Sequence, residues 1–142
     1  MDLTRDNAPT LAQPLLADLC TVDGVSAQVL TDLAYDPRDP FAVTLVFRTQ
    51  PRPVRWTFAR QLLTDGLVEP TGDGDVHVWS CLDDAGLAVA MVELSAPGGD
   101  VLVQFRAHDV VSFLDRTEAL VPTGQESALL DIDAAITACL GR

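Results

Sequence analysis

Phe41-Ala42-Val43-Thr44-Leu45-Val46-Phe47-Arg48-Thr49, a link Gln50-Pro51-Arg52-Pro53, and Val54-Arg55-Trp56-Thr57-Phe58 form the stretch that decides the fold. In the first segment Phe41, Val43, Leu45 and Phe47 share one side, with Thr44 and Arg48 on the other. Alternation of period two is the mark of a half-buried strand. The third segment alternates again, with Val54, Trp56 and Phe58 inward. The proline-rich link between them is turn-forming, so the two strands read as a hairpin. Arg60 to Gly66 follows, with Leu62 and Leu63 ahead of a glycine stop, and predicts one or two helical turns.

Working outward, the same order recurs downstream. Val89–Ser95, a Pro97-Gly98-Gly99 turn, Val101-Leu102-Val103-Gln104-Phe105 and a helix over Asp109–Leu120 repeat the hairpin-then-helix pattern. The offsets are 46 from Val43 to Val89 and 47 from Val54 to Val101, and Phe58 falls on Phe105. The spacing predicts two pseudo-symmetric units. The second helix carries Val110, Phe113, Leu114 and Thr117 along one stripe. Leu129, Ile132, Ile136 and Leu140 give a C-terminal helix the stripe of an amphipathic element.

Further strands are expected over Ser26–Ala34, with Ala27, Val29, Thr31 and Leu33 on one side, and over Asp75–Cys81. Leu87 to Val92 has no polar face and is expected to be covered on both sides, a second subunit being one source of that cover. Tyr35 to Pro40 reads as a turn. Pro70 to Asp75 reads as a loop whose Gly74 takes a positive φ, so Gly74→Val is expected to disrupt folding. Met1–Pro14 lacks any sustained period and predicts a flexible N-terminal arm at 1–14, followed by a single domain over 15–142. Strand pairs each followed by a helix argue for an α+β fold with antiparallel sheet, because a parallel sheet would need helices between consecutive strands.

Composition narrows the function. Nine arginines, no lysine and 21 acidic residues give a net charge of −12. Such a surface repels nucleic acid and anionic lipid and favours basic partner patches. The chain holds no long apolar run and no basic-then-apolar start, so neither membrane insertion nor export is expected and a cytoplasmic location is. Cys20, Cys81 and Cys139 lie far apart without a CxxC pair and read as small buried hydrophobes in a reducing compartment.

A search for chemistry turns up little. His77 lies in a strand beside Trp79, and His108 lies where a strand gives way to a helix. Neither has an evident nucleophile or second carboxylate in reach, and both read as surface or capping residues; a hydrolase using either with nearby aspartates is the weaker alternative. Gly72-Asp73-Gly74-Asp75 precedes a strand rather than a helix and so reads as a hairpin turn, not a phosphate loop. Asp131 and Asp133 read as a charge pair at a helix N-terminus rather than as metal ligands. Trp79 is assigned to core packing ahead of a surface contact. No catalytic residue, cofactor site or metal site is expected, and the chain reads as a non-enzyme.

Three stretches carry a resemblance. They are Tyr35-Asp36-Pro37-Arg38-Asp39-Pro40-Phe41-Ala42-Val43, the run from Val54 through Trp56, Phe58, Ala59 and Arg60 to Pro70-Thr71-Gly72-Asp73-Gly74 and Trp79, and Phe113-Leu114-Asp115-Arg116-Thr117 with Val121-Pro122 and Gly124. In order and spacing they resemble the SsgA-like sporulation and cell-division proteins of actinobacteria over nearly all the chain after the arm. At Glu69 the chain departs from division-recruiting members, where a basic residue is usual, and at Ser80, where proline is usual. The resemblance implies a whirly-like fold, a homotrimer and a non-enzymatic adaptor in septation and morphogenesis. It implies partners among division-machinery and cell-wall proteins, the division GTPase FtsZ or a membrane-anchored septum protein, and recruitment to division septa. The alternative is a whirly-like single-stranded nucleic-acid-binding module, which the acidic charge disfavours.

Overall fold

The hairpin at the centre of the sequence pairs Ala42–Phe47 (β3) with Val54–Ala59 (β4) in antiparallel register, placing Val43 opposite Phe58, Leu45 opposite Trp56 and Phe47 opposite Val54. The two apolar faces therefore coincide, as the alternation requires. The computed structural model describes residues 10–20 and 26–140, with side chains apart from those of Ser26 and 129–135. Leu11–Cys20 (β1) and Ser26–Tyr35 (β2) precede the hairpin, and Arg60–Gly66 (α1) follows it. Thr71–Asp73 (β5), Val76–Leu82 (β6), Ala88–Ala96 (β7) and Gly99–Arg106 (β8) come next, then Ala107–Leu120 (α2) and Glu126–Leu140 (α3).

The strands form one antiparallel eight-stranded sheet in the order β4-β3-β2-β1-β8-β7-β6-β5. Each half is a four-strand meander closed by a helix, and the halves join where Asp18–Cys20 pairs with Leu102–Gln104. The doubled hairpin-helix pattern is present as expected and is longer than the sequence echo, because β1–β2 and β5–β6 also correspond in position. Phe58 and Phe105 are both buried one residue before their strand ends. Both helices start from an extended residue, Ala59 at φ −66°, ψ 135° and Arg106 at φ −60°, ψ 126°.

The sheet curls so that its inner face closes on a core shared by both halves and the helices, with Leu33, Tyr35, Val43 and Leu45 meeting Val78, Val92, Leu94 and Val103. From α2 come Val110, Phe113, Leu114 and Thr117, the stripe read from the sequence. Full burial of a side chain such as Phe113 is worth about 1.5–3 kcal/mol. The turn at Tyr35–Pro40 also forms as expected. Asp36 accepts the Arg38 N–H at 2.9 Å through its carboxylate and the Asp39 N–H at 2.8 Å through its carbonyl.

Several expectations are corrected. The arm expected over 1–14 extends too far, because Leu11–Pro14 is already strand, paired in the register Leu11 with Tyr35 to Pro14 with Asp32. The proline is tolerated there because β1 meets β8 only from Asp18 onward, leaving Pro14 with one neighbouring strand. Residues 1–9 lie outside the described residues. Phe41 precedes β3 and is 47% exposed rather than inward. Within the loop expected over Pro70–Asp75, Thr71–Asp73 is a short strand. The apolar run expected to be covered over Leu87–Val92 is covered only from Val89 on, Leu87 and Ala88 being exposed; there Ala90 and Val92 face the core and Val89 and Met91 are buried on the opposite face within this one chain. Asp131 and Asp133 lie beyond the first turn of α3, which opens at Glu126, so they are not its N-terminal charge pair.

The two-residue hairpin between Asp73 and Val76 has Gly74 at φ +60°, as the turn chemistry requires. A Cβ there would meet nothing within 4 Å, so the cost of Gly74→Val is the backbone strain alone. We expect a loss of roughly 1–3 kcal/mol and a melting temperature lowered by several degrees, a local penalty rather than failure to fold. An unchanged melting temperature would show that the turn relaxes without strain.

Candidate functional site

The three resembling stretches converge on one buried side chain. Arg60 is the first residue of α1, its backbone N–H donating to the Phe41 carbonyl at 2.7 Å, and it is 2% exposed. Its guanidinium donates to the Thr117 hydroxyl at 3.3 Å, the Val121 carbonyl at 2.8 Å and the Glu126 carboxylate at 2.9 Å. It also lies over the Tyr35 ring, 5.2 Å from the centroid. Tyr35 in turn donates its hydroxyl to the Pro40 carbonyl at 2.9 Å. Glu126 uses its other oxygen to accept the Gly124 N–H at 2.7 Å. A buried charge is tolerated only when paired and hydrogen-bonded, and here three hydrogen bonds, one of them to a carboxylate, hold the guanidinium.

This hub ties the turn after β2, the start of α1, the end of α2 and the start of α3 to one point. Its role is architectural, and it presents no open position to a substrate. Hydrogen bonds from the Glu126 backbone N–H, from Arg60 and from Gly124 hold the Glu126 carboxyl below its ordinary range, against burial, which acts the other way. Burial pushes the Tyr35 phenol up, opposed by Arg60. Stability from Glu126 is thus fully present above the ordinary glutamate value and lost as pH falls from there through the lower folded value. Stability from Tyr35 is present below the ordinary tyrosine value and lost as pH rises through the higher folded one. Urea midpoints measured from pH 3 to 11 are expected to form a plateau that falls off on both sides; an acid limb unchanged by Glu126→Gln would remove Glu126 as a cause.

Two of the surface grooves bear on the residues singled out in the sequence. At the end of the sheet away from the helices, Leu19, Phe47, Thr49, Val54, Trp56, Leu94 and Val101 line a cavity of about 160 Å³. Val54 and Val101 point inward as the alternation predicts, yet are 45% and 38% exposed because the two sheet halves stand apart at this open mouth. The second groove lies on the outer face at the β5 edge, lined by Pro70, Thr71, Gly72, His77, Val78, Trp79 and Glu93, with a volume of about 250 Å³. Trp79 belongs here rather than in the core. Val76 and Val78 alternate inward along β6, so Trp79 faces outward and is half-buried opposite Met91. On α3, Ile136 and Leu140 are exposed, at 52% and 81%.

The sequence-singled polar residues do not assemble. His77 Nδ1 is 3.7 Å from a Glu93 oxygen, and both side chains are well exposed. His108 sits in the first turn of α2, far along the chain from that pair and not in its groove. Among the described residues, no three His, Cys, Asp or Glu side chains gather closely enough to hold a metal ion. Cys81 and Cys139 are exposed and Cys20 half-buried, so the expectation of buried cysteines fails: the end of β6 and the last turn of α3 face solvent. Among the described residues no helix is long and apolar enough to cross a membrane. The Arg60 hub was missed as a unit because its members are separated by up to 91 positions, Tyr35 to Glu126, and only the fold joins them.

The family described as the Streptomyces sporulation and cell division protein SsgA matches residues 29–126. A sporulation-specific cell division protein SsgB of Frankia casuarinae is 40% identical over 128 residues, covering 89% of each chain. The SsgB of Streptomyces coelicolor is 42% identical over 113 residues, covering 79% of this chain and 82% of its own. Among solved structures, one from a study of SsgB mutations that correlate with longitudinal cell division during sporulation of Streptomyces coelicolor superposes with a TM-score of 0.81 at 40% identity, covering 86% of this chain and 96% of its own. An SsgA-like sporulation-specific cell division protein from Thermobifida fusca superposes with a TM-score of 0.85 at 34% identity, covering 92% and 96%. Sequence and fold agree: the chain belongs to the SsgA family of sporulation and cell division proteins.

Proposed function

We propose that the protein is a non-enzymatic adaptor in sporulation-specific division, acting in the cytoplasm and at septa by binding division or cell-wall proteins, with FtsZ the first to test. The observation that carries this is the open apolar mouth between the sheet halves, where Val54, Trp56 and Val101 line a cavity wide enough for a partner side chain. An apolar mouth open at the surface supports contact with another protein. The relatives named for sporulation-specific cell division supply the process. Self-association into a trimer belongs to the same proposal; a strict monomer in size-exclusion chromatography with light scattering at micromolar concentration would remove that part.

The test is co-sedimentation with polymers of the host FtsZ against a non-polymerising control. Pelleting with polymers only, reduced by Val54→Asp, is the expected outcome. Absence of pelleting would exclude FtsZ as a direct partner and move the search to membrane-anchored septum proteins and wall-remodelling enzymes.

A further inference from the structure

We infer that the Trp79 groove is a docking site for a basic, extended segment of a partner protein, with one Arg or Lys of that segment laid on the Trp79 indole and paired with Glu93. The inference takes from the proposed function only that the partner is a protein.

The shape of the groove follows from the strand register. Gly72 faces His77 across β5 and β6, and His77 faces Glu93 across β6 and β7. Because Gly72 has no side chain, the imidazole lies directly over the β5 backbone: a Cβ at Gly72 would stand 2.2 Å from His77 Cδ2. Trp79, two residues on, projects from the same outer face, and Pro70 and Thr71 close the groove along the edge. β5 is the last strand of the sheet and only three residues long, and among the described residues no strand pairs with its outer side. An extended segment can lie along such an edge and send alternate side chains into the groove.

Charge selects the occupant. From Gln61 to Phe105 the chain has eight acidic residues and neither Arg nor Lys. Glu69, Asp73, Asp75 and Glu93 lie in or beside the groove-forming strands and the residues that lead into them. The exposed arginines Arg48, Arg52 and Arg55 stand in and around β3–β4, at the other edge of the sheet. An acidic segment or a nucleic-acid strand is repelled at the β5 edge, and a purely apolar one makes no use of the Glu93 carboxylate. A guanidinium or ammonium satisfies both walls, because tryptophan is the best aromatic partner for a cation.

The probe is a fluorescein-labelled octapeptide alternating Arg and Pro, with an alternating Glu-Pro octapeptide as control, followed by fluorescence anisotropy on the full chain. The Arg-Pro peptide is expected to bind and the Glu-Pro peptide not to. Trp79→Ala should weaken binding about tenfold or more. Glu93→Gln, which keeps size and leaves the core untouched, should weaken it about threefold or more, so the inference stays testable if Trp79→Ala folds poorly. Binding of the basic peptide unchanged by both variants would reduce the effect to net charge and overturn the inference. A change of oligomeric state in Glu93→Gln would also overturn it, since a second copy would then be the occupant. Wild-type protein that pellets with FtsZ polymers but shows no Trp79-dependent peptide binding would sink the inference alone and leave the adaptor function standing.

Discussion

Replacing Arg60 by methionine is expected to cost about 3–5 kcal/mol of folding stability. The substitution keeps most of the buried stem but removes the charge that Glu126 pairs with at 2.9 Å. It also takes a donor from the Val121 carbonyl and the cation from the Tyr35 ring. Thr117 suffers less, because its hydroxyl still donates to the Leu114 carbonyl at 2.7 Å. Leaving a carboxylate buried and unpaired dominates the sum, and domains of this size have only about 5–15 kcal/mol in all. The paired variant Arg60→Met, Glu126→Leu should recover a large part, since replacing both charges by apolar groups is often close to neutral. Urea unfolding of the two single variants and the pair decides it. A loss below about 1 kcal/mol for Arg60→Met alone would mean that water reaches the hub.

The second large effect is Gly66→Ala, expected to destabilise by about 2–3 kcal/mol although alanine is the better helix former. A Cβ at Gly66 would stand 2.3 Å from Val78 Cγ1, 2.4 Å from Val78 Cβ and 2.9 Å from the Val78 carbonyl oxygen. Val78 is fully buried in the middle of β6 and, being β-branched, has no free rotamer to retreat to. Its backbone is held on both sides, opposite Thr71 and Val92. Overpacking of this kind costs about 1–3 kcal/mol and more when backbone must move. The opposing gain, up to about 1 kcal/mol for Gly→Ala inside a helix, is reduced because Gly66 is the last residue of α1. The steric cost wins. A thermal unfolding curve unchanged from wild type, or shifted upward, would show that α1 can move away from β6.

These two positions also show what was and was not legible. Gly66 reads correctly as a helix stop, and α1 ends there, but the local pattern contains no trace of Val78 lying against it. Arg60 is visible as part of a motif, yet an arginine opening a short helix is ordinarily a solvated residue. Its burial depends on Thr117, Val121 and Glu126 arriving from the end of α2 and the start of α3. Trp79 fails in the opposite direction: an aromatic in a strand is usually core, and only the side of β6 on which it falls assigns it to a surface groove. Cys81, two residues farther on the same strand, is exposed for the same reason.

The sequence by itself determined the order of the elements from β2 onward apart from β5, the hairpin faces of β3–β4, the buried stripe of α2, the turn at Asp36–Asp39 and, through its motifs, the family. Those are local quantities, set by periods of 2 and 3.6 residues and by turn chemistry, so a single chain records them directly. Only the tertiary structure decided that the doubled pattern spans four strands per half, that Leu11–Cys20 and Thr71–Asp73 are strands, and that Val89–Val92 is buried on both faces within one chain. It alone decided that the motif residues meet at Arg60 and that Trp79 opens outward. Each of these depends on which distant segment a side chain faces, and that is set by how the sheet closes on itself rather than by its neighbours in sequence.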